Sequence, residues 1–270
     1  MTHITAANKQ KVKELVRQGI PDSYRGIAWQ VLLNSLNIYK TNEKNEQTSK
    51  YCSFLGKPVS EKTLIQIGKD IDRTQPLMKF FRSEHQLRSL FRILKAYAAY
   101  NTHVDYCQGM GFPASILLYY MPEKQAFWAF LQMMNKIDNM FRNSLQGVHE
   151  RCKVLELLLK KCEPKIYHHL QVIKIEPQLY ACGWLMSCFI NAFEFPVAMR
   201  VFEQFLCEGN KALYRASIAI LKYASYSLPH LKMSRKPEDP GFEQEFDQME
   251  KGENGVSLLC MPTSAAIMFV

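Results

Sequence analysis

The 270-residue chain is expected to fold as an all-α protein with no significant β-sheet, and three observations carry that expectation. Glu84 to Tyr100 places Leu87, Leu90, Phe91, Leu94, Tyr97 and Ala98 at i, i+3 and i+4 spacing, the period of a half-buried helix. The same period returns in most of the later segments. No stretch alternates apolar and polar residues with the period of two that a strand requires.

Lys9 to Gln18 reads as a short helix with Val12, Leu15 and Val16 on one face, and Gly19 ends it. Pro21 and Asp22 then open a second helix that carries Tyr24, Ile27, Ala28, Val31, Leu32 and Leu36. Arg25 and Trp29 lie one turn apart on it, which predicts a buried indole with the arginine stem packed over it. Thr41 to Ser60 is polar and reads as a surface loop. From Lys62 the helical pattern resumes and runs up to Pro76.

Further helices are read over Glu123 to Met134, Arg151 to Cys162, Pro177 to Phe193 and Pro196 to Leu206. Gly209 and Asn210 cap the last of these, and Lys211 to Ser227 makes another. No repeat of fixed period is visible, so one domain over residues 9–230 is expected rather than a solenoid. Residues 231–270 are expected to form a flexible tail, because Ser234 to Asn254 is charged and interrupted by Pro237, Pro240 and Gly241.

Thirty-four Lys and Arg against 25 Asp and Glu give a net charge of +9, spread along the chain in runs no longer than two. That charge suits an acidic or nucleotide-loaded partner, and no nucleic-acid motif accompanies it. Eight scattered cysteines without a C-x-x-C pair favour free thiols in a reducing compartment, so a cytoplasmic location is expected. No apolar run reaches the roughly 20 residues of a membrane span. His149, Cys152, Cys162 and His168 match no common zinc spacing, so no metal site is expected.

Three short patterns fall in order along this chain. Arg25 and Trp29 form R-x-x-x-W. Ile67, Asp70 and Arg73 form I-x-x-D-x-x-R, and Tyr106-Cys107-Gln108-Gly109 forms Y-C-Q-G. In their order and spacing they resemble the TBC domain of Rab GTPase-activating proteins, and the resemblance runs from about Gly19 to about Tyr226. It extends to Ile175-Glu176-Pro177 with Trp184, and to Arg200-Val201-Phe202-Glu203. The family commonly has R-I-W-D at the last of these, so Phe202 is a smaller aromatic and Glu203 a longer acid.

The resemblance implies a GTPase-activating protein in vesicle trafficking that acts on a Rab-family small GTPase in its GTP form. It implies no cofactor of the chain's own, the GTP and Mg being bound by the partner. It makes Arg73 an arginine finger and Gln108 a glutamine finger, supplied in trans. Those residue types suit the task. A planar, permanently charged guanidinium can bond two phosphoryl oxygens as charge develops on them. A neutral carboxamide can both donate to and accept from the attacking water.

Asp70 is expected to hold Arg73 or anchor its turn. Tyr106, Cys107 and Gly109 shape the turn that presents Gln108, and Ile67, Arg25 and Trp29 act as scaffold. Membrane contact is expected only transiently, at endomembranes and through the partner. The alternative is a TBC-fold scaffold that binds a small GTPase or another partner without catalysis. No G-x-x-x-x-G-K-[ST] loop is present, so the chain is not expected to bind nucleotide by itself.

Overall fold

The computed structural model describes residues 8–44, 48–137, 140–141 and 145–227. The expected tail over 231–270 lies outside the described residues. Among those described the chain is all-α, with thirteen α-helices and no strand. None of these helices is long and apolar enough to cross a membrane.

The helices are α1 (Lys9–Gln18), α2 (Arg25–Leu32), α3 (Ser35–Asn42), α4 (Lys50–Leu55), α5 (Glu61–Thr74) and α6 (Glu84–Tyr100). They continue with α7 (Gly111–Tyr120), α8 (Glu123–Ile137), α9 (Gln146–Cys162), α10 (Pro164–Val172), α11 (Pro177–Met186), α12 (Phe195–Glu208) and α13 (Asn210–Ser227). Helix α6 is the hub of the first half and packs against α4, α5, α7 and α8. Its stripe of Leu90, Ile93, Leu94 and Tyr97 is buried against Phe127, Phe130 and Met134 of α8 in one continuous core. In the second half α9 packs on α10, α11 and α13, while α12 joins α13 to α1 and α2.

Three expectations are corrected. The helix read from Pro21 to Leu36 is a 3-10 turn over Asp22–Tyr24 followed by α2 and α3. Asn34, in the left-handed region at φ 54°, separates the last two; asparagine tolerates that conformation better than most residues. The loop read over Thr41 to Ser60 contains α4. Ser49 caps it by accepting from the Cys52 amide at 3.2 Å, and Tyr51 is buried. Glu43 accepts from the Tyr51 amide at 2.9 Å, which ties the polar flank to the helix. The helix read to Phe193 stops at Met186, and Cys188 and Phe189 both have positive φ.

The R-x-x-x-W pair is structural, and α12 answers it residue for residue. Trp29 is fully buried, with Phe202 edge-on at 5.3 Å and Tyr120 at 4.8 Å. Arg25 reaches the fully buried Glu203, with Nε to Oε1 at 2.7 Å, and bonds the Tyr120 hydroxyl oxygen at 2.9 Å. The ring its guanidinium lies over is that of Tyr120, at 5.5 Å, rather than the predicted Trp29. Thus the departures at Phe202 and Glu203 are accommodated by direct partners on α2.

Candidate functional site

Helix α5 and the segment between α6 and α7 are laced together along one face. Thr63, Ile67, Asp70 and Thr74 follow a 4-3-4 spacing, so all four project from one side of α5, and all four are buried. Ile67 enters the core at zero exposure. The other three each meet the 101–111 segment. Thr63 Oγ1 donates to Asp105 Oδ2 at 2.7 Å. Asp70 Oδ2 accepts from the Tyr106 hydroxyl at 2.7 Å. Thr74 faces Gly111, the first residue of α7, so closely that a β-carbon there would lie 2.7 Å from its Oγ1. Thr74 Oγ1 in turn donates to the Asp70 carbonyl at 2.7 Å.

Asp70 is the centre of this arrangement. A carboxylate buried to 4% exposure needs compensating partners, since stripping its water is costly. It has two: the Tyr106 hydroxyl and the Arg73 guanidinium, whose Nη2 forms an ion pair with Oδ1. Arg73 lies in the last turn of α5, where a cation also complements the helix C-terminus. Its side chain remains 57% exposed, so the ion pair leaves the head group at the surface. Burial, then the bond to Asp70, raises the Tyr106 pKa and keeps the phenol neutral.

The Tyr106-Cys107-Gln108-Gly109 turn is held by its own backbone. Met110 N–H donates to Cys107 O at 3.2 Å, and Phe112 N–H to Gly109 O at 3.2 Å, which leads directly into α7. The Cys107 amide points at the Met110 sulfur, 3.4 Å away. Gly109 has φ +102°, a conformation other residues adopt only with strain. Gln108 is exposed beside it. Burial and the nearby Asp70 push the Cys107 thiol up to about 11, so it stays protonated at neutral pH and serves as a small apolar filler.

Asp70 therefore joins Arg73 directly to Tyr106, two residues before Gln108. Ile67 lies beneath as scaffold. Arg25 and Trp29 belong to the α2–α12 contact and are not part of this cluster. Thr63, Thr74, Asp105 and Gly111 were not singled out from the sequence. The available signals were the α5 spacing that places both threonines on the Asp70 face, and the second glycine two residues after Gly109.

The Thr74–Gly111 approach gives a direct test. Gly111→Ala should destabilise the fold by about 1–3 kcal/mol, the usual cost of overpacking a close contact. Adding Thr74→Ala should recover part of that loss, because it removes the oxygen in the way. Urea unfolding of the two variants measures both quantities.

Three comparisons bear on what this arrangement is. The sequence model of the Rab-GTPase-TBC domain matches residues 22–228. The chain is 33% identical to human TBC1 domain family member 10B over 226 residues, covering 83% of this chain and 27% of that protein. It is 34% identical to the Caenorhabditis elegans Rab GTPase-activating protein tbc-11, covering 82% of this chain and 24% of that protein. With the Drosophila melanogaster TBC1 domain family member whacked, the 31% identity extends over 88% of this chain and 68% of the relative. The chain thus spans about a quarter of the length of the first two relatives.

Among solved structures, the Chlamydomonas flagellar RabGAP TBC domain superposes with a TM-score of 0.72 at 20% identity, covering 98% of this chain and 82% of that one. The Ypt/Rab-GAP domain of Gyp1p gives 0.70 at 19%, covering 97% and 92%. At those identities the likeness is one of fold.

Proposed function

The chain belongs to the Rab-GTPase-TBC domain family, and from that membership we propose that it is a GTPase-activating protein for a Rab-family GTPase in its GTP form. It completes the partner's active site with Arg73 and Gln108, binds no cofactor of its own, and acts on the GTP and Mg that the partner carries. It works in vesicle trafficking from the cytoplasm and reaches endomembranes through the partner.

The observation that supports this reading best is the double engagement of Asp70. One buried carboxylate holds an exposed arginine at a helix end and also fixes the turn that presents an exposed glutamine. Such preorganisation is what a transition-state contact requires, because the groups need little rearrangement when charge develops. Asp70 bonds Nη2 alone, which leaves the Nη1 and Nε donors of this exposed guanidinium for phosphoryl oxygens. Gln108 orients the attacking water in place of the GTPase's own glutamine.

Gln108→Ala should lower the stimulated single-turnover rate about 10²-fold, the scale of one lost transition-state hydrogen-bonding group. A substrate GTPase whose own glutamine has been replaced should still be stimulated by the unmodified chain, and that stimulation should vanish with Gln108→Ala. If the unmodified chain fails to stimulate that GTPase, the water-positioning role of Gln108 is wrong. A screen of stimulated hydrolysis across a Rab panel identifies the substrate on which these variants are read.

A further inference from the structure

Helix α11 connects the Gln108 turn to a pair of thiols. Cys152 on α9 and Cys182 on α11 face one another with their sulfurs 3.7 Å apart. Both are free, Cys152 fully buried and Cys182 partly exposed. One turn beyond Cys182, Met186 ends α11 against Gly109: a β-carbon at Gly109 would sit 3.4 Å from Met186 Cβ and 3.5 Å from its Cε. The thiols and the turn are thus about four residues apart along a single helix, and the Met186 side chain borders the turn at a distance that would put an added β-carbon in ordinary van der Waals contact.

We propose that Cys152 and Cys182 are an oxidative modification site, closing to a disulfide under a hydroperoxide, and that the closure acts on the Gln108 turn through Met186. The effect on catalysis rests on the GTPase-activating reading, whereas the modification itself does not.

The chemistry balances in two steps. The Cys182 thiol, on the reachable side, gives up its proton and its sulfur attacks the peroxide; the O–O bond breaks, Cys182 becomes a sulfenic acid, and the departing hydroxide takes up that proton and leaves as water. The Cys152 sulfur then attacks the Cys182 sulfur. The S–S bond forms, the S–OH bond breaks, and the thiol proton leaves with the hydroxide as a second water. Overall two thiols are oxidised by two electrons and one hydrogen peroxide is reduced to two waters.

The sulfurs must approach from 3.7 Å to about 2.05 Å. Side-chain rotation together with a small movement of α11 towards α9 supplies that approach. Because the Met186 side chain borders Gly109, movement of α11 towards α9 changes the packing beside residues 106–111. Burial and the neighbouring Cys182 push the Cys152 thiol up to about 12, so Cys152 stays a protonated thiol at neutral pH and serves as the resolving partner rather than the first to react.

The test treats the intact chain with hydrogen peroxide, maps disulfides by peptide mass spectrometry, and follows amide exchange at 106–111. It then measures single-turnover hydrolysis on the Rab that the reduced chain stimulates most. The expected result is an intramolecular Cys152–Cys182 bond, exchange at 106–111 altered at least twofold, and a stimulated rate at least fivefold lower, restored by dithiothreitol. Cys182→Ser and Cys152→Ala should each be resistant, and the former, at the more exposed position, guards against a folding defect.

Oxidation confined to the exposed Cys52 or Cys162, or further oxidation of Cys182 without the bond, overturns the proposal. So does a mapped bond that leaves both exchange and rate unchanged. Should the reduced chain stimulate no Rab, the activating reading fails instead, and the mapped bond with the exchange at 106–111 decides the modification by itself.

Discussion

Replacing Arg73 by alanine should abolish stimulated GTP hydrolysis, with a loss of about 10³- to 10⁵-fold in single-turnover rate. That range corresponds to about 4–7 kcal/mol of transition-state stabilisation. The loss should fall on the rate rather than on binding, because in the proposed role the guanidinium makes its strongest contacts only as charge shifts onto the phosphoryl oxygens. Arg73→Lys should do little better than alanine, since an ammonium cannot make the forked contact. The fold should survive both changes, because the Arg73 side chain is more than half exposed. Asp70 would then keep the Tyr106 hydroxyl as its partner.

Arg25→Met should instead strike the fold. It strips the cation from a carboxylate at zero exposure, leaving Glu203 with the Ile20 amide at 3.3 Å as its remaining neighbour of note. Breaking a buried pair from one side costs about 3–5 kcal/mol. At about 2–4 °C per kcal/mol for a domain of this size, Tm should fall on the order of 10 °C. Removing the acid as well, in Arg25→Met with Glu203→Leu, should recover much of the loss, since no charge is then stranded. Thermal and urea unfolding of the single and double variants measures the coupling. A fully additive result would mean that the pair contributes nothing as a pair.

These two arginines show why the sequence was legible in some places and opaque in others. Helices with a clear polar face, such as α1 and α6, were readable to their ends, since periodicity alone defines them. Helix α7 was not, because it is buried on nearly every side and carries no periodic contrast. Helix α4 was hidden by its polar flank, and its evidence is tertiary: Glu43 reaching across to the Tyr51 amide, and Tyr51 donating to Glu123 at 2.6 Å. The nine-residue α10 was also passed over, although Pro164 stands at its first position, where proline favours a helix start.

At the candidate site, the residue types and their order pointed to Arg73, Asp70 and the Tyr106–Gly109 turn. The hydrogen bond that joins Asp70 to Tyr106 spans 36 residues, and no local pattern encodes it. The same holds for Thr63 with Asp105, and for the close passage of Thr74 past Gly111. Pairings across such separations are fixed by the packing of α5 against α6 and α7, and only the folded chain displays them.

The measurement that bears most directly on the central claim is a double-mutant cycle on Arg73 and Gln108. Single-turnover hydrolysis would be followed on the most strongly stimulated Rab with the unmodified chain, Arg73→Ala, Gln108→Ala and the double variant, with binding measured alongside. The account predicts near-complete loss with Arg73→Ala and a smaller loss with Gln108→Ala. The double variant should lose less than the product of the two factors, with affinity for the GTPase little changed. Near-normal stimulation by Arg73→Ala would contradict it, and the chain would then be better described as a TBC-fold module that binds its partner without catalysis.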